Sequence, residues 1–230
     1  MIPLLAQVAA NAAEPMQITL DGGGSTPVKL FLFLTALSFA TALLISITSF
    51  TRIVVVLSFL RQAMGTPQLP PNQVVIALAL AISFFVMAPT ATRVYEGALG
   101  PYLAEEIDGE VAYQRAAVPV REFLLRQTRD SDLRLFYEIA GTERPVRGDE
   151  VPLSVAVPAF MVSELTTSFR MGLFLYVPLL LVDLLVAAIL MSMGMMMVPP
   201  TLISLPIKVA IFLLADGWHL VVASLVRSFG

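Results

Sequence analysis

At 230 residues the chain is 57% apolar and only 13% charged, with a mean hydropathy of +0.84. A soluble domain carries about 25% charged residues, so half of that charge is missing and a membrane-associated helical chain is indicated. A formal net charge of −3 without a basic cluster gives no reason to expect nucleic acid as a partner, and the lack of cysteine excludes disulfides, cysteine-based metal sites and thiol catalysis.

The chain opens with a short apolar run at 2–8 and an Ala-x-Ala-like stretch around Ala10 and Ala12, without a basic n-region. Residues 1–29 therefore read as a signal remnant or a flexible leader. Within them Asp21-Gly-Gly-Gly-Ser25 is linker-like, and it is no phosphate loop because no Lys-Ser/Thr follows the glycines. A membrane span needs about 20 mainly apolar residues. Residues 30–50 supply 21 without a charge, and apolar character continues past Arg52 to Leu60. Residues 74–92 supply a second span, 171–193 a third carrying Asp183, and 202–226 a fourth carrying Lys208 and Asp216.

Between the second and third spans the composition changes. Residues 93–150 hold 20 of the 31 Asp, Glu, Lys and Arg residues. Phe123, Leu124, Leu133, Leu135, Phe136 and Ile139 recur among them at helical spacing, which predicts two amphipathic helices broken near Asp130-Ser131. The expected fold is an all-α membrane protein: two long apolar helical hairpins, 30–92 and 153–230, joined by a small amphipathic helical extracytoplasmic domain over 93–152. Arg52 and Arg61, read as loop charges between the first two spans, place that loop in the cytoplasm and the charged domain outside it.

Three features could carry function. Thr35, Ser38, Ala42, Ser46 and Ser49 line one face of the first span, a face suited to close packing against protein. Glu164, Arg170, Asp183, Lys208 and Asp216 lie in or beside the later apolar segments, where a charge costs roughly 2.5–3.5 kcal/mol and seeks a partner or a cavity. Counting from the connecting turn places Asp183 and Lys208 both about 11 Å away, so they are expected to neutralise each other within one chain or between subunits. Structural ion pairs, a proton or ion path, and solvated helix ends are all open for this set. The third feature is Met191-Ser-Met-Gly-Met-Met-Met-Val-Pro-Pro200, which packs five of the 11 methionines into seven residues. Unbranched, adaptable methionines suit a compliant seal around a pore, ordinary packing, or soft-metal binding, although with no cysteine and His219 far along the chain, metal is not expected. No nucleophile–base pair, Walker, zinc or dinucleotide motif is present, so neither an enzyme nor a cofactor is expected.

Several longer motifs resemble the FliP family: Thr48-Ser-Phe-Thr-Arg-Ile53, RQAMGTPQLPPNQ at 61–73, Arg121-Glu-Phe-Leu-Leu-Arg-Gln-Thr-Arg129 and Pro158-Ala-Phe-Met-Val-Ser-Glu-Leu165. Phe169-Arg-Met-Gly172, MGMMMVPP at 193–200 and Leu214-Ala-Asp-Gly-Trp218 extend the likeness across residues 29–229. The SctR family of virulence secretion shares the methionine-rich and Asp-Gly-Trp regions, whereas the 121–129 stretch and the double proline look more like the flagellar branch. The resemblance implies a subunit of the flagellar type III export gate in the bacterial inner membrane, at the flagellar basal body. Several copies assemble with FliQ and FliR, near other export-apparatus and basal-body ring proteins, into a helical pore that passes unfolded flagellar proteins. It also implies that Met195, Met196 and Met197, supported by Met193 and Gly194, form the gasket; the five charges, on the residues alone, are expected to make contacts within the assembly. A virulence-system gate subunit, a small proton-coupled transporter using Asp183, Lys208 and Asp216, and a plain scaffold are the alternatives.

Overall fold

A computed structural model describes residues 25–230, apart from 67, 144, 146, 147 and 196 and the side chains of 25, 26 and 149. Most of the expected leader, residues 1–24, and the gasket residue Met196 thus lie outside the described residues. The described elements are helical throughout, and the chain divides after Ala42 into two compact units. Helix α1, Ser25–Ser46, makes up the described part of the first unit and enters the second. It is apolar all round, and its membrane-length window is 0% buried within the chain. Thr35, Ser38 and Thr41 satisfy their hydroxyls by donating to the carbonyls of Phe31, Leu34 and Ser38 at 2.8–2.9 Å. Thr35 and Ser38 of the small-residue face thus bond within their own helix, whereas Ser49 at its end is buried.

In the second unit the order is α2 (Phe50–Ala63), α3 (Asn72–Val94), a single π turn (Tyr95–Leu99), α4 (Gly100–Leu103), α5 (Gly109–Gln127) and α6 (Asp130–Ala140). A 3-10 turn (Gly148–Glu150) leads to α7 (Leu153–Ser192), α8 (Thr201–Leu214) and α9 (Gly217–Arg227). The apolar stretch expected to run on from residue 30 to Leu60 is interrupted at 47–49, where buried Ser49 shares a 3.0 Å hydrogen bond with Ser83 of α3. A second correction concerns Arg52. It sits in α2 and is buried, not in a loop. One of the two charges on which the orientation rested is therefore internal, held in an apolar setting by an acidic partner.

Among the described residues, three helical runs are long and apolar enough to cross a membrane: Pro27–Ser46, Asn72–Leu103 and Leu153–Ser192. The α8–α9 pair joins them as a fourth if the two count as one span bent by 64°. The expected third span is only the second half of α7. At about 1.5 Å per residue, the 40-residue α7 is about 60 Å long, twice the roughly 30 Å hydrocarbon core. Pro158 and Pro178 lie inside it without ending it, a tolerance found where neighbouring helices and side chains re-satisfy the freed backbone groups. At the α8–α9 bend Asp216 takes a left-handed φ of +49°. Gly217 follows because any Cβ there would stand 2.3 Å from the Phe212 ring.

The core of the second unit forms where α2 meets the first half of α7. Ile53, Val56, Leu57 and Leu60 of α2 pack with Ala156, Ala159 and Phe160 of α7. Gly172 gives Phe59 room to reach α7, where it meets Phe169 edge-on at 5.2 Å. The charged segment is part of the same core. Phe123 and Leu124 of α5 and Leu133 and Tyr137 of α6 join it, and Phe123 stacks at a tilt on Phe160 at 5.9 Å. Helices α5 and α6 part at Thr128-Arg129, both extended, so that Arg129 can turn in over α7. Its backbone N–H binds Ser163 Oγ, and its guanidinium binds Asp132 and Thr166.

Candidate functional site

The methionine-rich segment is a turn of defined geometry. Helix α7 stops at Ser192 because Gly194 takes φ +74°, a conformation that costs glycine nothing and other residues considerably more. The Gly194 N–H then binds the Met191 carbonyl at 3.0 Å, and the Met195 N–H binds the Leu190 carbonyl at 3.0 Å. This is a Schellman cap, and it satisfies carbonyls that the helix end would leave open. Pro199 and Pro200 then start α8, where a missing N–H is harmless. Between cap and prolines, Met195 is 40% exposed and Met197 97% exposed. Met193 is exposed as well. A second turn repeats the device at the end of α2, where Gly65 takes φ +76° and its N–H binds the Gln62 carbonyl at 3.0 Å.

Lys208 ties these two turns to one frame. Its buried ammonium donates to Asp183 Oδ2 of α7 at 2.5 Å and to the Ala63 carbonyl at the end of α2 at 2.9 Å. A cation on the last carbonyls of a helix also meets the negative end of its dipole. Ser204, buried one turn before Lys208, adds a hydrogen bond to Asp183. The pairing lies within a single chain and brings together the last third of α7, the middle of α8 and the end of α2.

Glu164 has a different partner. Arg52 donates from Nε to Glu164 Oε2 at 2.9 Å and from Nη2 to Oε1, a bidentate clamp with both side chains buried. The other Nη2 proton goes to Gln127 Oε1 at 3.0 Å, and Nη1 reaches the Ser228 carbonyl and hydroxyl, each at 2.9 Å. All five guanidinium protons are thereby used. The Phe229 ring lies 3.9 Å from the guanidinium carbon, and Gln127 also donates to the Phe229 carbonyl at 3.0 Å. Reading Arg52 as a loop charge hid this node, although the apolar residues on both sides of Arg52 argue against a loop.

The remaining charges are not brought together. Arg170 and Asp216 are exposed, and the His219 imidazole lies 4.0 Å from the Asp216 carboxylate, both side chains largely in solvent. Asp132 forms a polar corner with Arg129 and Ser163 that the sequence did not mark. Burial raises the Asp132 pKa, but hydrogen bonds from Ser163 and Arg129, together with the Arg129 charge, outweigh it and hold the carboxyl below its usual range.

This arrangement can support and present a soft, glycine-capped turn on rigid helices; it brings no nucleophile and base together. The FliP family profile matches residues 25–225. A protein of Pectobacterium carotovorum subsp. carotovorum named "Flagellar biosynthetic protein FliP" is 48% identical over 226 residues, 97% of this chain and 86% of that protein. Proteins of the same name from Aquifex aeolicus and Bacillus subtilis are 52% and 48% identical over 211 and 205 residues. They cover 91% and 89% of this chain and 88% and 93% of their own lengths. With a family match over most of its length and relatives near half identity, the chain belongs to the FliP family.

Proposed function

We propose that the chain is a subunit of the flagellar type III export gate. Several copies surround a closed pore together with FliQ and FliR, and unfolded flagellar proteins leave through it. The carrying observation is uncovered apolar helix. The membrane-length window of α1 is 0% buried and that of α7 only 11% buried, on a helix about twice as long as the hydrocarbon core is thick. The first half of α7 packs against α2, α5 and α6, so the bare surface is that of its apolar window and of α1, and in this reading neighbouring subunits cover it. The one polar side chain in the second half of α7 that a single chain could not leave bare, Asp183, is already neutralised by Lys208. The outer surface is left free for apolar contact.

In this reading Met195, Met196 and Met197 point to the shared axis and close it as a flexible seal, with Met193 and Gly194 supporting the bend. The Gly194 cap and the Lys208 frame fix where the loop emerges, and the thioethers supply the compliance. The buried charges act as structural ties within the assembly. Opening draws its energy from outside the chain. The test is to replace Met195, Met196 and Met197 together with alanine and to measure both ion leakage across the membrane and the mass of the purified complex. The seal predicts leakage with the complex intact. An intact complex that remains ion-tight refutes it.

A further inference from the structure

Between the end of α2, the first turns of α3 and the start of α9 lies an apolar cavity of about 190 Å³. Leu57 and Leu60 of α2 and Val75 of α3 form its floor and are almost wholly buried. Arg61, Val74 and Trp218 form the rim and reach the surface. Leu78, four residues beyond Val74, carries the lining about 6 Å further along α3. Trp218 is steadied on the rim by Phe212, which it meets edge-on at 5.5 Å. Among the described residues Arg61 is the only charged side chain on the cavity. Its Nη1 donates to the Pro70 carbonyl at 3.3 Å and to Asn72 Oδ1, which pins the guanidinium at the entry of α3. Among the described residues Nε and Nη2 have no acceptor and no carboxylate partner. Residues 51–73 hold no Asp or Glu, and Asp216, two residues before Trp218, has His219 beside it instead.

We propose that this site takes one anionic phospholipid, its phosphate on the Nε–Nη2 edge of Arg61 and part of one acyl chain passing Trp218 into the cavity toward Leu78. An apolar cavity offers water no hydrogen-bond partner, so one of this size favours an apolar guest. The unpaired edge of the guanidinium asks for the opposite, an anion with two oxygens side by side, because its fork donates two parallel hydrogen bonds. Only an amphipathic ligand satisfies both. The candidate span Asn72–Leu103 begins at this rim, so a lipid is at hand there, and tryptophan is a residue type enriched where chains meet the membrane surface. A soluble anion would leave the cavity empty, and a lipid without net charge would gain nothing from Arg61.

Trp218 is the only tryptophan of the chain, so its fluorescence reads the rim directly. The full chain, produced by itself in detergent, is titrated with phosphatidylglycerol or phosphatidylcholine brominated on the acyl chains, since bromine quenches an indole that it touches. Phosphatidylglycerol is expected to give a saturable quench at about one-fifth of the concentration that phosphatidylcholine needs, the factor one arginine contributes beside an anionic headgroup. Arg61→Gln keeps a donor for the Pro70 carbonyl and should bring the two titrations together. Val74→Phe fills the cavity from its exposed rim and spares Arg61. It should remove the saturable quench by either lipid, so the proposal stays testable if the arginine variant fails to fold. Equal quenching by both lipids in the parent chain overturns the proposal, as does a preference for phosphatidylglycerol that persists in Arg61→Gln. A saturable quench that survives Val74→Phe assigns the lipid to the outer surface and rules the cavity out. Complete relief of the quench by millimolar inorganic phosphate also overturns it, because a free anion would then hold the site without a chain.

Discussion

Removing the Glu164 charge tests the most highly connected buried node of the chain. Arg52 and Glu164 are both buried, and the guanidinium spends all five protons on Glu164, Gln127 and Ser228. Glu164→Gln leaves the cation in the core without a counter-charge, and Arg52→Met strands the carboxylate. Either loss costs about 3–5 kcal/mol. For a chain of this size 1 kcal/mol shifts the melting temperature by about 2–4 °C, so each single variant should melt roughly 6–20 °C lower. Arg52→Met/Glu164→Leu removes both charges and replaces them with apolar volume. It should recover most of the loss, short of about 1–3 kcal/mol for the acceptors on Gln127 and Ser228 that Arg52 no longer satisfies. The assay is thermal unfolding in detergent followed by circular dichroism, arranged as a double-mutant cycle. Limited proteolysis should find residues 228–230 released in Arg52→Met. Single variants that melt within about 2 °C of the parent, or effects that simply add, would show that water reaches the pair and that the node holds nothing.

Two further outcomes are expected. Gly172→Ala places a Cβ 2.6 Å from the Phe59 ring; overpacking of that kind costs about 1–3 kcal/mol, and combining it with Phe59→Ala should remove the penalty, both read by the same melting assay. Asp132 is held below its ordinary pKa, so its folded value lies under its unfolded one. The stability it contributes is complete above the unfolded pKa and is lost as pH falls through the folded value. Between pH 5 and 8 the melting temperature should be insensitive to Asp132 ionisation, and Asp132→Asn should flatten the acid limb below about pH 4; an unchanged acid limb would contradict the Asp132–Ser163–Arg129 corner.

How much of this could be read along the chain follows from the range of each interaction. The apolar runs, the amphipathic pattern of 119–140 and the extended break before Asp130 are local, because burial and helix period act over three or four residues. The methionine turn is equally local: Gly194 supplies the positive φ that ends α7, and Pro199-Pro200 lead into α8 whatever else the fold does. Asp183 and Lys208 are 25 residues apart across that turn, near enough for counting rises to bring them level, and the structure joins them. Beyond that distance counting fails. Arg52 lies 112 residues from Glu164 and 176 from Ser228, and Lys208 lies 145 from the Ala63 carbonyl. No periodicity in α2 announces which face of α7 it will meet. Helix α7 is the other instance. Pro158 and Pro178 read locally as breakers, yet the helix runs through both for 40 residues, with Glu164 clamped by Arg52 and Asp183 by Lys208 along the way. Residue type and spacing are sufficient for a turn or an apolar stretch because their energies are settled by neighbours in sequence; a buried charge is settled only by the group that packing sets against it.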